Sequence, residues 1–375
     1  MKKISSVEVF PLHIPFKKPF LLSRGFVGAP GVPGKHVYLK LMTTDGQVGW
    51  GESRPMPTWS YETMESVVTT LRNHIAPLLL DNSASTIGEL RRRIDLSITP
   101  SVSASQPFAI SAVEQALYDL LGRESGLPLH TLLGGRLVDR LELGYMISGH
   151  DESMVEEAGK MKKRGYSCFK IKISGDPEAD ATRLREISSA VGDALVWADA
   201  NQAYNPLTVR RLLDLIRDIP NIACLEQPVP THDYPGLSRI ASQSRLPVAV
   251  DESIFTHYDM LRAGSARAAD LVVLKVAKSG LITNRKISAV AEAQGIGLLG
   301  SGMTESGVGF AASAHLFSTM PILLPVDING PQFLSDLLVS GLEIHEPFVR
   351  IPDKPGLGVE VNESKLGEML APIDA

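Results

Sequence analysis

The chain has 375 residues, long for one compact domain and suited to two domains or to a barrel with an appendage. With 37 Lys+Arg against 42 Asp+Glu, a net charge of -5 and no block of like charge, it offers no electrostatic footing for nucleic acid or an anionic membrane. No long uncharged apolar stretch predicts a membrane span and no apolar run near Met1 predicts export, while Cys168 and Cys224 sit in apolar strand-like runs; a cytoplasmic protein with buried, reduced thiols is expected.

Residues 4 to 53 alternate as strands do (Val7, Val9; Val37, Leu39, Leu41; Val48, Trp50), with Thr44-Asp45-Gly46 as a hairpin turn, and predict an antiparallel sheet. Between its first strands, 19–35 holds Gly25, Gly28, Gly31 and Gly34 plus Pro30 and Pro33. That punctuation argues against regular structure and for a mobile loop that acts as a lid. A second loop, 53–61, carries Trp59 and Tyr61. From Thr63 to about Gly126 the apolar period turns helical (Val67, Leu71, Ile75; Ile110, Val113, Leu117), so 1–126 reads as a small α+β domain.

After Leu141 short apolar runs alternate with amphipathic helical stretches. Eight runs can be counted, at 141–148, 168–173, 195–200, 222–226, 247–251, 270–275, 295–300 and 321–327. Even strand-helix alternation of this kind is the signature of a (β/α)8 barrel, placed here over 127–342. The Pro- and Gly-punctuated segment 343–375 is expected to return to the first domain.

Within the second run Lys170 and Lys172 share one face of a strand, where paired ammonium groups depress each other's pKa and one could serve as a base. Taken alone, the pair reads more readily as solvated lysines on an edge strand. The carboxyl ends of the next strands alter that balance, because that rim is where barrel enzymes keep their chemistry. Strand two ends in Lys172, three in Asp199, four in Glu226, five in Asp251 and six in Lys275. Three crowded carboxylates repel unless a cation joins them, and an all-oxygen set suits a hard ion, Mg2+ first and Mn2+ second. Lys172 and Lys275 come from strands four apart in the ring, hence from opposite sides of a bound substrate. That arrangement suits removal of a proton α to a carboxylate, through an enediolate stabilised by the metal.

On Lys170-Ile171-Lys172, Asp199-Ala200-Asn201, Leu225-Glu226-Gln227-Pro228, Val250-Asp251-Glu252-Ser253 and Leu274-Lys275-Val276-Ala277-Lys278-Ser279-Gly280, the chain resembles the enolase superfamily. Within it the likeness is to the muconate-lactonizing-enzyme subgroup: muconate cycloisomerases, dipeptide epimerases, N-succinylamino acid racemases and o-succinylbenzoate synthases. The resemblance runs essentially the whole length and implies an enolase-like barrel with a capping domain. It implies Lys172 and Lys275 as the acid/base pair, Asp199, Glu226 and Asp251 as metal ligands, and Lys170 near the substrate carboxylate, with Asn201 and Glu252 behind the ligands. Lys278 is expected on the helix surface.

Such enzymes read the distal part of the substrate with the two capping loops and the end of strand eight, which points here to Trp59, Tyr61, Asp327 and Asn329, with Glu305 near Lys275. In dipeptide epimerases an Asp-x-Asp at the last place holds the substrate ammonium; Asp327-Ile328-Asn329 keeps one of those carboxylates. A small-molecule carboxylate substrate and a homo-oligomer, dimer or octamer, are implied. The expected activity is that of an isomerase, a racemase or epimerase of an amino acid derivative or a cycloisomerase of a muconate-like diacid. A dehydratase or β-elimination lyase is the alternative. A remote one is a dinucleotide-dependent oxidoreductase, raised by Gly307-Val308-Gly309-Phe310-Ala311-Ala312; in a barrel the same glycines would offer helix N-terminal amides to an anionic substrate group.

Overall fold

A computed structural model describes residues 2–22, 25–101, 104–149 and 153–373. Five strands open the chain: β1 (Ile4–Ile14), β2 (Phe20–Leu22), β3 (Gly25–Gly28), β4 (Gly34–Thr43) and β5 (Val48–Ser53). β1, β4 and β5 form the predicted antiparallel sheet, with Val9 opposite Leu39 and Leu39 opposite Gly51. Gly49 and Gly51 face the helix Pro107–Ser125, where a Cβ would run into the carbonyl oxygens of Ala116 and Ala112. Glycine at these positions lets the helix lie flat on the sheet. The same helix packs on its other side against the barrel helix Val276–Ala293, so it is buried along most of its length.

The segment 19–35, expected to lack regular structure, carries the β2–β3 hairpin. Its glycines do not prevent pairing, and Phe20 pulls the hairpin onto the barrel by stacking on Phe333 at 4.4 Å. Gly28 lies so close to the Phe16 ring that a side chain there would collide with it. Ser23 and Arg24 of the expected lid lie outside the described residues.

The next strands are β6 (Arg140–Glu142), β7 (Tyr145–Ile147), β8 (Cys168–Lys172), β9 (Leu195–Asp199), β10 (Ile222–Glu226), β11 (Val248–Val250), β12 (Leu271–Leu274) and β13 (Gly297–Gly300). β7 to β13 lie side by side in chain order in one parallel sheet, the simple progression of a barrel. Two of the eight predicted runs take a different form. The run 141–148 splits at Leu143-Gly144: β6 pairs antiparallel with Phe348–Arg350 of the C-terminal segment, and only β7 enters the barrel. The run 321–327 is interrupted by Pro321 and Pro325, which cannot donate to a ladder, and closes the ring through isolated bridges instead. Leu323 and Asp327 donate backbone bonds to Leu298 and Gly300 of β13, while Val326 donates to Glu142 and accepts from Gly144 on the other side.

Inside the barrel Cys168, Trp197, Cys224, Ala249, Val273 and Leu299 form one buried layer, and both cysteines are free thiols. The C-terminal segment returns to the cap, as the Ala371 amide bonds to the Pro11 carbonyl and the Leu357 amide to the Asp119 carboxylate. Among the described residues no helix is long and apolar enough to cross a membrane.

Candidate active site

Parallel strands in sequential order bring their carboxyl ends to one rim. Lys172, Asp199 and Glu226 are the last residues of β8, β9 and β10, and Asp251 and Lys275 directly follow β11 and β12. Lys172 pairs in register with Asp199 and Asp199 with Glu226, so the first three stand at one height. All five side chains are buried.

The lysines and carboxylates are interleaved. Lys172 Nζ lies 2.5 Å from Asp199 Oδ2 and donates to Asn201 Oδ1 at 3.0 Å. Lys275 Nζ lies 2.8 Å from Asp251 Oδ2, 3.5 Å from the Met303 sulfur and 4.5 Å above the Trp59 ring. Lys170 sits among three carboxylates, at 2.9 Å from Glu226, 3.1 Å from Asp199 and 3.3 Å from Asp327. Backbone strain accompanies these contacts. Asn201 and Gln227, each just past a strand end, have φ of 41° and 34°, left-handed values unusual for residues other than glycine. The turn lets Gln227 Oε1 accept from the Asp251 amide at 3.0 Å and orient that carboxylate.

The charges follow from burial and from these neighbours. Burial alone would raise the Asp199 carboxyl, but Lys172 and Lys170 outweigh it and hold the group below the usual carboxylate range; Lys275 and Lys278 do the same for Asp251. Glu226 goes the other way, pushed well up by burial and then by Asp199. The expectation that Lys170 and Lys172 depress each other is corrected for Lys170. Burial lowers its pKa, but Glu226 and Asp199 more than offset this and hold it well above the ordinary value. Lys170 is a fixed positive charge.

Among the described residues no three acidic, His or Cys side chains are gathered in coordination geometry, because the carboxylates face ammonium groups. The donor chemistry nevertheless fits a hard divalent cation: three buried carboxylates from adjacent strands and no nitrogen or sulfur ligand. Glu226 Oε2 and Asp251 Oδ2 receive no well-directed hydrogen bond, and burial first, then the Asp199 charge, penalises the ionised form of Glu226, a penalty that a bound cation would offset.

Lys278 is not a surface residue. Gly280, at φ 67°, breaks the helix after it, and the side chain turns fully inward to donate to Asp251 Oδ1 at 2.8 Å, the Asp251 carbonyl at 2.7 Å and the Val273 carbonyl at 3.1 Å. Lys278→Met strips three buried acceptors of their donor and is expected to destabilise the fold by about 3 kcal/mol, read as a lowered urea midpoint.

Asp327 is already partnered, accepting from Ser301 Oγ and Asn329 Nδ2, both at 3.0 Å. Glu305 accepts from the Met303 amide and is pushed up to about 7 by burial, without a hydrogen bond to Lys275. Asn201 joins Lys172 to Glu252, donating from Nδ2 to Oε1 at 3.1 Å. Trp59 lines the same small cavity, of about 20 Å3, as Lys170, Lys172, Lys275, Asp327 and Asn329, whereas Tyr61 is half-exposed against Phe255 outside it.

The cavity also holds Phe20, Leu22, Met56, Met146, Ser301 and Thr304, which sequence reasoning did not single out. Alternation of Phe20 and Leu22 was the available signal for the hairpin. The amides after strand seven are not free for a ligand. Glu52, from β5, takes Ser306 N and Gly309 N at 2.8 Å each, so the helix Gly307–Ser318 is capped by the protein's own carboxylate. That contact removes the anion-binding role of the glycines and with it the ground for a dinucleotide.

Two family models match. Mandelate racemase / muconate lactonizing enzyme, N-terminal domain, covers residues 5–134, and Enolase C-terminal domain-like covers 153–365. The chain is 30% identical to the N-succinyl-L-Arg/Lys racemase of Bacillus cereus over 376 residues, 98% of each chain. It is 31% identical to the L-Ala-D/L-Glu epimerase of Bacillus subtilis, over 95% of this chain and 96% of that one. The solved muconate lactonizing enzyme of Pseudomonas fluorescens, complexed with muconolactone, superposes with a TM-score of 0.93 at 31% identity, covering 99% of this chain and 100% of that one.

Proposed function

The chain belongs to the mandelate racemase/muconate lactonizing enzyme family of the enolase superfamily, and from that premise we propose that it is a Mg2+-dependent isomerase that removes the proton α to a substrate carboxylate. The observation that carries this is the presence of Lys172 and Lys275, from strands four apart, on the wall of one buried cavity beside Asp199, Glu226 and Asp251. A cation held by those carboxylates would polarise the substrate carboxylate and free the lysines from their ion pairs. One lysine then takes the α-proton, and the other, facing the opposite side of the planar enediolate, returns one. Lys170, held positive, complements the developing negative charge. Phe20 of the β2–β3 hairpin, Met56 and Trp59 roof the cavity and exclude water.

The substrate favoured is an amino acid derivative undergoing racemisation or epimerisation, as in the racemase and epimerase relatives, because Asp327 sets a carboxylate in the lining where an amino or amide N–H would meet it. A muconate-like diacid is the second reading, and β-elimination would pass through the same enediolate. Asp327→Ala separates the first two: KM for amino-bearing substrates should rise by roughly 10- to 100-fold, the worth of one charge-assisted hydrogen bond, with dicarboxylates little changed. The reaction itself is tested by screening N-acylated amino acids, dipeptides and muconates in deuterated water. Deuterium at the α-position supports the reading, and its absence from every carboxylate that is turned over rejects it.

A further inference from the structure

A second and larger cavity, of about 760 Å3, lies between cap and barrel, lined by the loops after β10 and β11, the helix Val276–Ala293 and the cap helices. It shares no lining residue with the catalytic cavity. An aromatic wall separates the two, with Trp59 on the inner side against Phe255 at 5.9 Å, and Phe255 against Tyr61 at 6.1 Å on the outer. The volume is in the range of pockets that hold small molecules.

The lining carries groups of both charges, and one carboxylate oxygen among them is buried without a partner. Glu252, 6% exposed, gives Oε1 to Asn201, while its Oε2 is buried without a hydrogen-bond partner, a costly state for a carboxylate. Arg91 and Asp259 are spent locally, on Glu114 and Asp95 and on the Thr256 cap. Arg262 and Lys286 are exposed at the edge of the groove; Arg262 lies over the Tyr234 ring at 5.7 Å and bonds its hydroxyl, and neither cation enters a salt bridge among the described residues. Tyr61, Tyr234 and Phe255 add aromatic faces. The groove thus offers one buried acceptor without a partner, two exposed cations at its edge and an aromatic wall.

We propose that this groove is a second ligand site that takes a free aromatic α-amino acid, with its ammonium on Glu252, its carboxylate on Arg262 and Lys286, and its ring on the tyrosine wall. The site is not isolated from the chemistry. Glu252 holds Asn201, and Asn201 Oδ1 receives Lys172 Nζ at 3.0 Å, so a ligand that draws on Glu252 alters how Lys172 is held. This second half rests on the catalytic role proposed for Lys172; the binding half does not.

The test is calorimetric titration of the full-length protein with L-phenylalanine, beside 3-phenylpropionate, which lacks the ammonium. Binding of L-phenylalanine alone is expected, weakened about tenfold or more in Arg262→Ala/Lys286→Ala, two residues outside the catalytic cavity whose loss should leave basal turnover and the circular dichroism spectrum unchanged. Equal binding by 3-phenylpropionate, undiminished binding by the double variant, or no binding at all overturns the site. Saturating L-phenylalanine should also change kcat in the wild type and not in the double variant. Binding with kcat unaltered overturns the link to Lys172 while leaving the site. A protein that turns over no carboxylate would reject the proposed reaction, yet the titration would still decide the groove.

Discussion

Asp199→Asn, Glu226→Gln and Asp251→Asn are each expected to lower kcat/KM by about 1,000-fold or more, and chelation of the wild type should do the same until Mg2+ is restored. The magnitude follows from the several kcal/mol that Lewis-acid stabilisation contributes to an enediolate, at 1.4 kcal/mol per tenfold. The three substitutions should differ in their side effects. Asp199 and Asp251 each balance two lysines in the absence of a cation, so the amides leave buried ammonium groups unpaired and should also lower stability. Glu226 is pushed up by burial and by its neighbours, so Glu226→Gln should be the least disruptive and the cleanest probe of metal binding. Mn2+ binding followed by electron paramagnetic resonance should weaken in all three. Full activity in chelated enzyme, or unaltered Mn2+ affinity in Glu226→Gln, would rule out the assignment.

The charged strand ends were readable because a sequential parallel barrel turns regular spacing along the chain into one height in space. Lys172, Asp199 and Glu226 close their strands, and the register pairs them directly. What escaped depends on contacts that no local pattern encodes. Lys278 stands three residues after Lys275 on an amphipathic stretch, and only the break at Gly280, packed against Glu114, turns it inward. The glycine-rich entry to the helix Gly307–Ser318 looks open to an anion until Glu52, distant in sequence, is seen to fill it. The hairpin in 19–35 was hidden because glycine density masks the alternation of Phe20 and Leu22. The eighth run kept its place but not its form, since Pro321 and Pro325 allow only single bridges. The family resemblance agrees with the matched models, whereas the cavity lining is drawn from several separate elements and the substrate was not legible.

Replacing the lysines separates the outcomes that share the enediolate. In deuterated water, Lys172→Ala and Lys275→Ala should each abolish turnover if the reaction inverts the α-carbon, because one face then lacks its proton carrier. Each variant should still exchange the α-proton of the one stereoisomer whose hydrogen faces the surviving lysine, and the two variants should select opposite isomers. A cycloisomerase or a syn elimination needs only one lysine to move protons. There, one substitution should abolish the reaction and the other should cost less, through lost electrostatic support of the enediolate. The two lysines also differ in their surroundings, which bears on rescue: Lys275 is held by Asp251, the Met303 sulfur and the Trp59 face, while Lys172 is held by Asp199 and Asn201. A small exogenous amine should therefore restore Lys172→Ala more readily than Lys275→Ala, whose gap is walled by the Trp59 ring and the methionine. Wild-type exchange rates in the Lys172→Ala/Lys275→Ala double variant would show that neither lysine is the base.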